Sequence, residues 1–278
     1  FIVYSLQFTV YRLQMITKRN RRLVAVMLVA VHTIVFKASA QIADYGVVPM
    51  PQRIEMQRDD SFVLNGDVQI LAGEGLQQEA TFLQTYLKEL EGLSLPIVQK
   101  RQKKVNYIEL TLSPKVAEPE GYVLTVRKNG VTIAGGSAAG VFYGIQTLRK
   151  SLFTDSIVYS QFLPAVRISD APRFSWRGMH LDCSRHFFPV AFVKKFIDLL
   201  ALHNMNVFHW HLNDDQGWRI EIKKWPKLTE VGSQRSGTII GTNSDIDDNI
   251  PYGGFYTQAE AREIVRYAAE RHITVVNR

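Results

Sequence analysis

Residues Trp176 to Arg219, reading WRGMHLDCSRHFFPVAFVKKFIDLLALHNMNVFHWHLNDDQGWR, constrain the fold more than any other stretch of the chain. Short apolar runs, Met179 with Leu181 and Val207 with Phe208, flank a segment in which Val193, Phe196, Ile197, Leu200 and Ala201 recur at the spacing of one buried helix face. Strands alternating with a helix predict a parallel sheet. In parallel sheets the binding and catalytic groups collect at the carboxyl ends of the strands. Asp182, Ser184, Arg185 and His186 follow the first strand, and His211, Asn213, Asp214 and Asp215 follow the second. A site is expected there.

The same alternation continues downstream. Thr257-Gln258-Ala259-Glu260 reads as a capping box opening a helix with Ile264, Val265 and Ala268 on one face, and Ile273–Val276 reads as a third strand. A closed eight-stranded β/α barrel takes roughly 250 residues. Three strands ending at Arg278 predict only the first part of a (β/α)8 TIM barrel, with an open sheet edge. The expectation is a fragment whose reading frame continues past Arg278.

Upstream the pattern is α+β. Val63–Ile70, Tyr107–Leu112, Tyr122–Arg127 and Val131–Gly135 read as strands, and Leu76–Leu90 and Ser137–Leu152 as helices. Lys128-Asn129-Gly130 reads as an Asn-Gly hairpin turn and Ser137 as a helix N-cap. The run GGSAAG lacks the Lys-Ser/Thr and the spacing of a phosphate loop, so close helix–sheet packing is the better account. Pro164–Trp176 reads as a linker. The predicted division is 1–40 upstream extension and signal peptide, 41–166 α+β domain, and 167–278 partial TIM-barrel domain.

The formal charge of +7 is concentrated where it carries little functional meaning. Arg12, Lys18, Arg19, Arg21 and Arg22 precede the apolar run Leu23–Phe36 and the small-residue motif Ala38-Ser39-Ala40, the order of a secretory signal cleaved before Gln41. The apolar run is shorter than the roughly 20 residues of a spanning helix, so no stable membrane insertion is expected after its removal. Export to the periplasm or outside the cell follows. No basic stripe interleaved with aromatics appears elsewhere, which argues against a nucleic-acid partner. Cys183 is the single cysteine, so no intramolecular disulfide forms, and its place at a strand suggests a small buried residue rather than a reactive thiol.

Taken together, RGMHLDCSRHFFP, NVFHWHLNDDQGWR and WPKL resemble the first two β/α units of the glycoside hydrolase family 20 β-N-acetylhexosaminidases. EGYVLTV followed by AAGVFYGIQTLRK resembles the small α+β domain that precedes the barrel in that family, and GGFYTQAEAREIVRYAAERHITVV resembles the unit leading to its third strand. The resemblance spans Val47 to Val276 and implies hydrolysis of terminal β-linked N-acetylglucosamine or N-acetylgalactosamine from glycans. It implies substrate assistance, in which the 2-acetamido oxygen attacks the anomeric carbon, a Glu protonates the leaving oxygen and a neighbouring Asp orients the acetamide. No cofactor is implied. Arg185 is implied to hydrogen-bond sugar hydroxyls, and Asp214 to belong to a network that tunes the acid through a histidine. The Asp-Glu pair itself would lie beyond Arg278, so the 278-residue chain is expected to show no turnover.

Other readings stay open at this point. Arg185 is alternatively a structural ion-pair partner of Asp182 or Asp214. Asp215 reads better as a capping carboxylate, His180 and His186 as packing residues, and Trp210 as core, while Trp218 is a candidate to stack on a sugar face. His209-x-His211 puts two imidazoles on one strand face, with Asp214 as a third group, the pattern of a metal-dependent barrel hydrolase. A carbohydrate-binding fragment without catalysis is the remaining alternative. The oligomeric state is not legible.

Overall fold

The computed structural model describes residues 41–42, 44–152, 160–241 and 246–277. The signal-peptide reading falls on residues outside these. Residues Ile42–Arg278 form one compact unit, built on two separate sheets.

The first sheet contains β1 (Arg53–Asn65), β2 (Gln69–Ala72), β3 (Ile97–Val98), β4 (Tyr107–Leu112), β5 (Tyr122–Arg127), β6 (Gly130–Gly135) and β7 (Ser160–Asp170). β7 lies between β1 and β5, antiparallel to both, and β5 and β6 form a hairpin. β6, β4, β2 and β3 then run parallel in that order. The stretch expected as one strand, Val63–Ile70, is two. Asn65 turns the chain by accepting the Asp67 N–H on its side chain at 3.0 Å, so β1 ends there and β2 begins four residues later.

Two helices cover this sheet, α1 (Gln77–Glu91) and α2 (Ala138–Ser151). Every residue of α2 from Gly140 to Leu148 is buried, the mark of a helix packed on all sides. Its glycines permit close approach to the sheet. A Cβ at Gly140 would meet the Gly121 carbonyl at 2.2 Å, and one at Gly144 would meet Ile133 at 2.4 Å. We expect Gly140→Ala to lower stability by about 1–3 kcal/mol, read as a drop in urea midpoint at unchanged slope. A variant as stable as the parent would show that the helix can lift away at no cost. Ser137 occupies the N-cap position of α2 but does not cap with its side chain; its hydroxyl donates instead to the Pro119 carbonyl at 2.7 Å.

Two further expectations need correction. Lys128 and Asn129 form the turn between β5 and β6, and Gly130 already belongs to β6, paired with Arg127. The glycine is needed there because a Cβ would lie 2.7 Å from the Tyr107 carbonyl of β4. Residues 164–170, expected in a linker, complete β7. Pro164 is tolerated because it pairs with Ser61 at the point where the register of β1 slips, so its missing N–H breaks no regular ladder bond.

The second sheet is parallel and contains β8 (Gly178–Asp182), β9 (Val207–His211) and β10 (Thr274–Asn277), with β9 in the centre. Helices α3 (Val190–Leu202) and α4 (Gln258–Ala269) connect them. This is the opening strand and helix order of a TIM barrel. α3 buries Val193, Ile197, Leu200 and Ala201, about 1.5–3 kcal/mol for each of the larger side chains. α4 starts with the expected capping box, in which Thr257 and Glu260 satisfy each other's backbone N–H. It buries Ile264 and Ala268, whereas Val265 stays half exposed. Phe208 and Trp210 of β9 face the helices and are fully buried. The alternate residues, His209 and His211, face the other side in register with His180 and Asp182 of β8.

Candidate active site

The site is built where β8 and β9 end side by side. Asp182 closes β8 and turns the chain, its Oδ1 accepting the backbone N–H groups of Ser184 and Arg185 at 3.0 Å each. That turn brings the Arg185 guanidinium back over the sheet edge. Its Nη1 lies 2.9 Å from Asp182 Oδ2 and 2.8 Å from Asp214 Oδ2. Asp214 reaches the same point from the far side. It belongs to a small antiparallel ladder, Asn213–Asp214 with Gly217–Trp218, that follows β9.

His211 completes the cluster, with Nε2 2.9 Å from Asp214 Oδ2 and 3.1 Å from Arg185 Nη1. Nη1 donates to Asp182 Oδ2 and forms an ion pair with Asp214, while His211 Nε2 lies within hydrogen-bond distance of both Arg185 Nη1 and Asp214 Oδ2, its role in each contact set by its tautomer. Nε and Nη2 of Arg185 have no acceptor among the described residues, and the side chain is half exposed. The guanidinium is therefore held firmly on one edge and presents free donors on the other.

The carboxylates are ionised in this setting. The Asp215 amide and the His211 ring hold the Asp214 carboxyl below the usual range, with Arg185 adding to the effect. Burial works against ionisation of Asp182, but the amide and guanidinium of Arg185 outweigh it and its carboxyl is also lowered. With two carboxylates around one guanidinium, the cluster has a net charge of −1 when His211 is neutral.

Beneath the cluster lies a group that sequence reading missed. Arg219 is fully buried. Nε and Nη2 donate to the Ser184 carbonyl at 3.1 and 2.9 Å, Nη1 to the Ser233 and Gly254 carbonyls at 2.6 and 3.0 Å, and Nη2 also to Gln216 at 3.4 Å. Arg235 takes the next carbonyl, that of Arg185, at 2.8 Å. Two arginines thus fix the backbone that carries the site. Gly217 makes room for this, since a Cβ there would fall 2.3 Å from Arg219 Nη2. Nothing in local sequence distinguishes Arg219 from a surface arginine, because its acceptors come from loops up to 35 residues away.

Among the other sequence candidates, Asp215 supplies its N–H to Asp214 Oδ1 at 2.9 Å from the turn of the small ladder. His186 packs its ring on Tyr252, centroids 4.7 Å apart. Cys183 is buried and accepts the Trp210 indole N–H at 3.3 Å, and burial raises its thiol pKa, as expected of an inert cysteine. The Trp218 indole N–H donates to the Ile220 carbonyl at 2.6 Å. The proposed metal pair does not combine with Asp214 as a third ligand; instead His209 and His211 gather with His180. The site is an open rim. A cavity of about 730 Å³ lies elsewhere, lined by residues of α1, α2 and α3 and the end of α4, among them Tyr86, Arg149 and Arg271.

Comparison with known proteins places this geometry in a family. Residues 44–171 match the profile of glycosyl hydrolase family 20, domain 2, and residues 174–278 match that of the glycosyl hydrolase family 20 catalytic domain. A β-hexosaminidase of Porphyromonas gingivalis is 40% identical over 247 residues, which cover 85% of this chain and 30% of that protein. A β-hexosaminidase of Vibrio furnissii is 35% identical over 240 residues, covering 84% of this chain and 37% of that protein. The chain thus spans about a third of the length of these relatives. Among solved structures, the exo β-N-acetylglucosaminidase of Vibrio harveyi in complex with N-acetylglucosamine superposes with a TM-score of 0.74 at 33% identity, covering 86% of this chain and 36% of that one. The β-N-acetylhexosaminidase of Streptomyces coelicolor A3(2) gives 0.72 at 34% identity, covering 83% and 45%.

Proposed function

Because the chain belongs to glycosyl hydrolase family 20, we infer that the rim formed by Arg185 and Asp214 is the sugar-binding edge of a β-N-acetylhexosaminidase acting on terminal β-linked N-acetylglucosamine or N-acetylgalactosamine. One observation carries the reading. Arg185 is clamped between Asp182 and Asp214 at the carboxyl ends of adjacent parallel strands while its Nε and Nη2 remain available. Such a fork of rigid donors suits the paired hydroxyls of a pyranose. Asp214 holds Arg185 and His211 in place, a positioning role that fits the network expected to tune an acid. The chain contains no Asp-Glu dipeptide, so the 278 residues bind the sugar without supplying the proton donor and acetamide-orienting pair of substrate-assisted hydrolysis.

The same reading includes two domains, with the boundary expected at 166/167 moved to follow Asp170, where β7 ends, and export directed by the first 40 residues. No helix among the described residues is long and apolar enough to cross a membrane.

The test is saturation-transfer NMR with N-acetylglucosamine on the 278-residue chain, paired with an assay on a chromogenic N-acetylglucosaminide. Saturable binding without turnover is expected. Arg185→Ala should weaken binding by about 10–100-fold, the loss of one or two hydrogen bonds to a charged group. Unchanged binding in that variant would remove Arg185 from the site, and clear turnover by the chain would overturn the division of labour.

A further inference from the structure

The loop between β8 and α3, which carries Arg185, is held by side chains of one later segment. The Ser184 carbonyl accepts from Arg219 and that of Arg185 from Arg235, while those of Phe187 and Phe188 accept from the hydroxyls of Tyr252, at 3.0 Å, and Tyr256. All of these donors come from the excursion between β9 and α4. Arg235 and Tyr252 are direct partners in its antiparallel ladder, Gln234–Arg235 with Tyr252–Gly253, so their side chains share one face. The Arg235 guanidinium lies over the Tyr252 ring, 4.6 Å from its centroid, and the His186 ring centroid lies 4.7 Å from the same point. Thr238 Oγ1 accepts from Arg235 Nε and Nη2 at 3.2 and 2.9 Å, and Asp248 Oδ1 in turn accepts the Thr238 N–H at 2.8 Å. Gly254 permits the close approach of the two segments, since its φ is +151° and a Cβ there would lie 2.5 Å from the Phe187 ring.

We propose that Tyr252 is a positioning residue for the sugar site: with Arg235, it holds the backbone of residues 184–188 in the conformation that presents the free donors of Arg185. The inference rests on the sugar-binding reading and adds to it the element that orders the binding loop. Asp182 and Asp214 fix the guanidinium end of Arg185, but a side chain is only as well placed as the backbone that carries it. Residues 184–188 belong to no helix or strand, so side chains supply the order that a ladder would give. Tyr252 reaches three successive loop residues at once. Its ring meets His186, its hydroxyl holds Phe187, and its ladder partner Arg235 holds Arg185. A loop ordered before the sugar arrives binds it more tightly, because ordering then costs no affinity.

The experiment uses the 278-residue chain, titrated with N-acetylglucosamine and followed by NMR. Labelling arginine with ¹⁵N adds a report on the Arg185 Nε–H, identified by its absence in Arg185→Ala. Tyr252→Phe removes only the hydroxyl and keeps the ring beside His186 and Arg235. It should raise Kd by about 3–10-fold, the order of one hydrogen bond between neutral groups, and should shift or broaden the Arg185 signal in the sugar-free chain. Gly140→Ala, on α2 of the first sheet, should move neither, which separates loss of position from loss of general stability. Circular dichroism establishes that each variant is folded. A folded Tyr252→Phe chain with the parent's Kd would overturn the positioning role, and so would an equal weakening by Gly140→Ala. In either case the sugar-binding reading stands if Arg185→Ala still weakens binding. A parent chain that binds no sugar would overturn both.

Discussion

Replacing Arg219 by Met should lower the stability of the folded chain by about 4 kcal/mol, the largest effect expected of any single substitution at the site. Two opposing terms decide the sign. Removing the cation relieves the cost of burying a charge that has no carboxylate partner, and burial indeed lowers the Arg219 pKa. Against this, four carbonyls, those of Ser184, Ser233, Gly254 and Gln216, lose a donor at once. A buried acceptor left without a partner costs about 1–3 kcal/mol. Gln216 retains a long contact to Arg235 at 3.4 Å and Ser233 the Gly254 N–H at 3.3 Å, so the Ser184 and Gly254 carbonyls carry most of the loss, and they outweigh the relief. Arg219→Lys keeps the charge but offers one nitrogen where three act, and should recover less than half. The measurement is urea denaturation followed by tryptophan fluorescence. Because Ser184 is the residue before Arg185, the Met variant should also bind N-acetylglucosamine more weakly under conditions where it is folded. A variant as stable as the parent would mean that water reaches those carbonyls and that Arg219 is not the keystone of these loops.

The second large effect is expected at Glu120. Its two oxygens accept from Arg177 Nη1 at 3.0 Å and Nη2 at 2.9 Å, a bidentate pair, and Oε1 also accepts from Tyr143 at 3.0 Å and Asn206 at 3.2 Å. Arg177 in turn donates through Nε to the Asn204 carbonyl at 2.7 Å and through Nη1 to that of Phe174. This network joins the loop before β5 and helix α2 to the segments that lead into β8 and β9, so it fixes the first sheet against the second. Breaking a largely buried pair by removing one partner costs about 3 kcal/mol, most of it from the cation left unpaired. Glu120→Ala is therefore expected to lose about that much. Arg177→Met should lose a similar amount, and the double variant less than the sum, which a double-mutant cycle reads directly.

The same pair sets a pH dependence. Burial raises the Glu120 carboxyl pKa, but its bonds to Arg177, Tyr143 and Asn206 more than offset this, so the folded value lies below the ordinary one. The unfolded state then takes up protons first as pH falls. The contribution of Glu120 is present in full above its unfolded pKa of about 4.3 and disappears as pH drops through the lower folded value. Stability of the parent should fall over that acidic window more steeply than that of Glu120→Gln. Parallel pH curves would remove the pair from the acid response.

Much of the secondary structure was legible because it is written in local terms. The helix of Val190–Leu202, the capping box at Thr257 and the apolar runs of β8 and β9 depend on residues within four positions of one another. The errors fell where a distant partner intervened. Val265 matches the periodicity of its helix yet remains half exposed. Ser137 has the right position for a cap, but the Pro119 carbonyl captures its hydroxyl. Pro164 punctuates the sequence as a linker residue would, and only the slip in the register of β1 reveals that it sits in a strand.

By itself, the sequence determined that two strands end in clustered ionisable groups, and which residues those are, because period-2 and period-3.6 patterning are consequences of neighbouring side chains. Tertiary structure alone decided that Arg185 meets Asp182 and Asp214 through one nitrogen, that a buried arginine 34 positions further on holds the loops beneath it, and that three histidines share one face. Each of those facts depends on how strands pair and loops fold back across tens of residues. Hydrogen bonds and charges act over a few ångströms of space, and no rule of local spacing states which distant atoms will arrive there.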